Sequence, residues 1–158
     1  MNMVSRALER RRKGQKGFTL VELLVVVIII GILAAVSVPI YLNQRRSAWN
    51  SNAEQDAKNA QTIVETYLTD HNGKFGTDLT SGSGTAAKVT CNGGDNGTTQ
   101  AFGSQTLSCS AGVTLEVTAS DTTYTIRAWH ENGTKTYYYR SGTDASVQTT
   151  DGTNIPLP

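Results

Sequence analysis

Residues 18–41, reading FTLVELLVVVIIIGILAAVSVPIY, are apolar over the length of a membrane crossing and carry a single charge, Glu22. About twenty such residues span a bilayer as a helix, and in lipid the helix is compulsory, because each backbone N–H and C=O needs a partner within the segment. That requirement overrides local preference: Val25, Val26, Val27, Ile28, Ile29 and Ile30 are β-branched and only mediocre helix formers in water. Gly31 and Pro39 weaken the same stretch, Pro39 by lacking an N–H and crowding the carbonyl of Ala35, so a kink or a melted segment is expected between them. A carboxylate inside a lipid-soluble helix is costly. A chain that keeps one is expected to partner it, and the natural partner is another copy of the same chain.

Charge divides the chain of 158 residues into two parts. Residues 1–17 hold six cations (Arg6, Arg10, Arg11, Arg12, Lys13 and Lys16) against Glu9, a net of +5; the remaining eight basic and twelve acidic residues leave −4. A basic end before an apolar span stays in the cytoplasm by the positive-inside rule, which puts the body of the chain outside. An ordinary secretory signal, cut near Ala34 or Ser37, has an apolar core of about 7–15 residues and gains nothing from an acid. A permanent single-pass anchor fits the length and leaves Glu22 unexplained.

Gly17-Phe18-Thr19-Leu20-Val21-Glu22 resembles the prepilin cleavage and methylation motif of type IV pilins and pseudopilins. The likeness covers the leader and the long helix, roughly residues 16–75, and Gly31 and Pro39 match the family's helix-weakening positions. Leu42-Asn43-Gln44-Arg45-Arg46 is similar to pilins of Gram-positive bacteria. The resemblance implies cleavage between Gly17 and Phe18 by a prepilin peptidase and N-methylation of Phe18. It also implies assembly through Phe18, Glu22, Gly31 and Pro39, with an assembly platform and an ATPase as partners. The chain would sit in the cytoplasmic membrane before assembly and in an extracellular pilus afterwards, serving adhesion, twitching motility or DNA uptake. Two alternatives stand beside this: a pseudopilin of a type II secretion or competence machine, and a monomeric membrane-anchored extracellular binding domain.

Composition marks out six zones. They are a leader (1–17), the apolar transmembrane and polymerisation helix (18–41), an amphipathic helix (42–72), a Gly/Ser/Thr-rich loop (73–112), an antiparallel sheet (113–140) and a polar tail (141–158). In the amphipathic part Trp49, Ala53, Ala57, Ala60, Ile63, Val64, Tyr67 and Leu68 recur at spacings of three and four, one face of a helix. The two helical zones together make a rod about 80 Å long. Asn72-Gly73 is a stop signal. Within the loop, a short strand is expected near residues 86–90. Val113, Leu115, Val117 and Ala119 alternate with polar residues, as do Tyr124, Ile126 and Ala128, and Asn132-Gly133 is a strong hairpin turn. The expected class is α+β in the type IV pilin fold, the apolar half of the helix protruding and the amphipathic half packed on a small antiparallel sheet of three to four strands. The tail is expected to clip over the sheet edge or to lie loose.

Cys91 and Cys109, the only cysteines, fall in the extracytoplasmic part. An even count in an oxidising compartment favours one disulfide, worth roughly 3 kcal/mol for a loop of this length; two buried thiols are the alternative. No catalytic residue stands out: His71 and His130 lack the spaced partners of a metal site or a triad, and the glycines do not form a phosphate loop. No metal or other cofactor is implied, since Asp144 and Asp151 are too few oxygens for calcium. Asn96-Gly97-Thr98 and Asn132-Gly133-Thr134 fit the N-glycosylation pattern. Tyr137, Tyr138 and Tyr139 with Lys135 and Arg140 form a candidate stacking surface for nucleic acid or a host sugar, against the plainer expectation that a strand divides them between core and surface. Arg45 and Arg46 suit lipid head groups, acids on a neighbouring copy, or a solvated helix face.

Overall fold

A computed structural model describes residues 18–75, 87–120 and 122–156. Two compact units divide the chain, Met1–Leu42 and Asn43–Pro158. One helix, α1 (Leu20–Asp70), supplies the described regular structure of the first unit and the only helix described in the second. It runs through Gly31 and Pro39 without a break, so the melted stretch expected between them is absent here. Proline removes one ladder hydrogen bond, and the turns on either side carry the helix across it. From Leu20 to Leu42 every apolar side chain is exposed.

In the second unit, α1 places Ala53, Ala57, Ala60, Val64 and Tyr67 in the core, with Ile63 and Leu68 partly buried beside them. At the far end Asn72 and Gly73 are both left-handed (φ 54° and 78°), and the Gly73 N–H reaches back to the Leu68 carbonyl at 2.7 Å. This is the Schellman closure that the Asn-Gly pair predicts.

The strands are β1 (Ala87–Asn92), β2 (Thr98–Phe102), β3 (Gln105–Cys109), β4 (Val113–Ser120), β5 (Thr123–His130), β6 (Lys135–Arg140) and β7 (Gln148–Asp151). A five-stranded antiparallel sheet has the order β1-β4-β5-β6-β7, and β2 pairs with β3 in a separate hairpin. Val113, Leu115, Val117 and Ala119 of β4 are buried with Tyr124, Ile126 and Ala128 of β5, as their alternation predicts.

Two expectations need correction. Residues 73–112 are not one long loop, for they contain β1, β2 and β3; with β1 on one edge and β7 on the other, the main sheet is wider than three to four strands. These strands escape composition because β2 exposes all its side chains but Phe102, so Thr and Gln fill it and no apolar alternation shows. A disulfide joins Cys91 to Cys109 and ties the β2–β3 hairpin to β1. Gly93 completes the packing: a Cβ there would lie 1.8 Å from the Ser110 carbonyl oxygen, so only glycine fits. The tail is likewise structured, giving the edge strand β7. Beyond it residues 152–155 cross the outer face of the sheet, where the Ile155 N–H meets Thr136 Oγ1 (3.2 Å) and Arg127 donates to Asn154 Oδ1 (2.8 Å) and the Ile155 carbonyl (2.9 Å). Trp129 and Thr136, on that outer face, are buried.

Candidate functional site

Glu22 is the chemical feature of the first unit. Thr19 is the N-cap of α1, and its carbonyl accepts the first helical bond from Leu23. Its Oγ1 accepts from the Glu22 N–H (3.2 Å), while Glu22 Oε2 accepts from both the Thr19 N–H and the Thr19 hydroxyl (2.8 Å each). The exchange is a capping box, satisfying two of the N–H groups that a helix start leaves without partners. The Thr-x-x-Glu spacing in 19–22 signals it in the sequence, and the site residues expected from the motif omit Thr19. Phe18 lies just ahead of the box and is almost fully exposed (89%). Gly17 and the leader fall outside the described residues.

The site is therefore a solvent-exposed apolar helix opened by one internally bonded carboxylate. α1 is long and apolar enough to cross a membrane, and its apolar window is wholly unburied. A prokaryotic N-terminal methylation motif matches residues 12–38. The chain is 42% identical to the type IV major fimbrial protein FimA of Dichelobacter nodosus over 80 residues, which is 51% of this chain and 50% of that one. It is 37% identical to a fimbrial protein of Neisseria meningitidis over 75 residues (48% and 44%). Over 67 residues it is 43% identical to the type IV major pilin protein PilE1 of Neisseria gonorrhoeae (42% and 40%). The chain is similar to type IV pilins over about half of its length. It spans about half the length of the curated relatives it matches. No solved structure matches it.

The second unit, the head, carries the other residues singled out in the sequence. Tyr137 and Tyr139 are buried in the core cluster and only Tyr138 faces outward, with the Arg140 guanidinium over its ring at 5.5 Å. The tyrosine run is thus divided between core and surface, and no three-ring platform forms. Arg140 is also tied to Asp144 (3.0 Å), and this partner holds the Asp144 carboxyl below the usual carboxylate range. Asp144 is thereby committed to an ion pair, while Asp151 closes β7 opposite Lys135. Among the described residues no group of three or more His, Cys, Asp or Glu side chains could hold a metal ion. Asn96 is exposed in the turn before β2, whereas Thr134 of the second glycosylation pattern is held by Asn50.

Three polar groups of the core have partners that the sequence pattern does not reveal. Asp56 lies on the apolar face of α1 between Ala53 and Ala57; its carboxylate accepts from the Ser110 N–H (2.7 Å) and the Ser110 hydroxyl (3.0 Å), pinning the β3–β4 turn to the helix. Burial pushes its pKa up, against the pull of those two bonds. A lone acid on an apolar stripe is the signal that could have revealed it. Tyr124 donates its hydroxyl to Glu65 of α1, and burial followed by that carboxylate raises its pKa. His130, on the inner side of β5, stacks on Trp49 with ring centroids 5.4 Å apart.

Proposed function

We propose that this chain is a structural pilus subunit, inserted in the membrane through its apolar helix, cut between Gly17 and Phe18, methylated at Phe18, and polymerised helix to helix into an extracellular fibre. The observation that carries the reading is the exposed apolar arm with a single carboxylate at its start, inside a prepilin methylation motif. Cleavage turns Phe18 into an α-amine beside that acid. Glu22 Oε2 is used within the chain, which leaves Oε1 to meet the Phe18 amine of a neighbouring copy. An amine and a carboxylate offset each other in an apolar fibre core where either alone is costly, so the pair sets register as well as holding copies together. Gly31 and Pro39 supply the weak stretch through which a packed helix lengthens under load. A prepilin peptidase, an assembly platform and its ATPase are the partners this route requires, with the leader in the cytoplasm and the head outside.

The N-terminus and intact mass of the chain in sheared surface material test this directly. A methylated Phe18 start in that fraction supports cleavage and fibre membership together. A chain beginning at Met1 and confined to membranes overturns the proposal in favour of an anchored domain, and a start near Ser37 replaces it with a secreted one.

A further inference from the structure

The turn between β5 and β6, residues 131–134, is where separate parts of the head are fastened together. Asn50 of α1 receives the Thr134 N–H at Oδ1 (2.9 Å) and donates from Nδ2 to the Thr134 hydroxyl (3.0 Å). The β3–β4 turn joins through the Glu131 N–H and the Gly112 carbonyl (2.9 Å). The C-terminal strap joins through the Gly152 N–H, which donates to the Thr134 carbonyl (2.8 Å), and the Thr153 hydroxyl, which donates to the Gly133 carbonyl (2.9 Å).

One titratable side chain underlies this junction. His130 is 5% exposed, and its Nδ1 accepts the Asn132 N–H at 3.0 Å. That bond requires an unprotonated Nδ1, so the proton of the neutral ring is on Nε2. Nε2 faces the 111–112 turn, where the ring bonds the Ala111 backbone. The fit is close: a Cβ on Gly112, which is left-handed at φ +72°, would come within 2.5 Å of Nε2. On the helix side the ring stacks on Trp49, whose own ring carries the Arg45 guanidinium at 5.0 Å. The charged group acting on the imidazole is thus Glu131 on its own hairpin, which favours the cation, while Arg45 on α1 reaches only the Trp49 ring on which the imidazole stacks. The 111–112 turn presents backbone and no charge.

We propose that His130 is an acid-sensitive fastening, whose protonation releases the β5–β6 turn, and with it the C-terminal strap, from residues 49–50 of α1. A proton on Nδ1 points at the Asn132 N–H, donor against donor, and the second cation competes with Arg45 for one indole. The buried ring satisfies its charge by leaving the stack for water. Burial already favours its neutral form and sets its pKa below the ordinary histidine value, with Glu131 and the Ala111 bond pulling weakly the other way. The fastening is therefore complete above about pH 6.5 and fails as pH falls through and below that value.

Amide exchange and imidazole NMR on the full-length chain in detergent micelles test this between pH 8 and 5. The expected result is a loss of protection at Asn132, Thr134 and Gly152 of about tenfold or more, after correction for the chemical exchange rate. Its midpoint should follow the titration of His130 and not that of His71 at the other end of the head helix. In His130→Gln, which keeps a neutral donor and acceptor, protection should stay constant over the same range. Should that variant fail to fold, coincidence of the two wild-type midpoints decides the matter. Unchanged protection in the wild type, a fall that tracks His71, or the same fall in His130→Gln would overturn the proposal.

Discussion

The two units solve opposite problems with one helix. From Leu20 to Leu42 the described arm turns every apolar side chain outward and satisfies its single acid with the Thr19 hydroxyl and N–H. From Ala53 to Tyr67 the same helix buries its apolar face and satisfies two of its acids with tertiary partners, Asp56 with Ser110 and Glu65 with Tyr124. The difference lies in what covers the apolar surface. The head closes on itself, whereas the arm, in the function proposed above, is covered by lipid or by other copies, because water is a poor solvent for so long a run of exposed apolar residues. Stability of the head and assembly of the arm should therefore respond to different mutations.

Glu22→Ala should produce the largest effect. The chain is expected to be processed and inserted, and its head to melt as in the wild type, while fibres disappear from sheared surface fractions. Normal fibres from this variant would dismiss the pairing with Phe18. Leu115→Ala tests the other side, since Leu115 is fully buried between sheet and helix and its truncation should lower head stability by about 2–5 kcal/mol. Cleavage of the leader should be unaffected, because the processing site proposed above belongs to the other unit. A coupled loss of processing, seen as uncut precursor, would show that the two units do not act separately.

The contrast is partly legible in the amino-acid sequence. The apolar run, the Glu22 motif, the helical face from Ala53 to Leu68 and the alternation of β4 and β5 all follow from side-chain periodicity, because each has one face that must avoid water. Strands β1 to β3 and β7 do not, since few of their residues are apolar and they are held by ladder bonds and by the disulfide. Polar residues there look like loop until the pairing Val89↔Val117 or Tyr138↔Gln148 is known. His130 is a similar case. Its sequence neighbours reveal nothing of Trp49, far earlier in the chain, on which its chemistry depends.

Asp56 gives the smallest and most selective test. Its folded pKa is raised by burial, so the folded state holds the proton more tightly than the unfolded chain. Its contribution is then fully present below the unfolded value, near 3.9, and is lost as pH rises through the raised folded value. Asp56→Asn imitates the protonated form, with its carbonyl accepting the Ser110 N–H and its amide meeting the hydroxyl. The variant should be at least as stable as the wild type at pH 7, and the two should converge toward pH 3. Asp56→Ala leaves the part-buried Ser110 N–H without its acceptor and should cost about 1–3 kcal/mol at either pH. Denaturation midpoints of the three chains in detergent between pH 3 and 8 separate the effects of charge and hydrogen bonding. If Asn proves as damaging as Ala at pH 7, the carboxylate itself is what holds the turn, and the head relies on a buried charge.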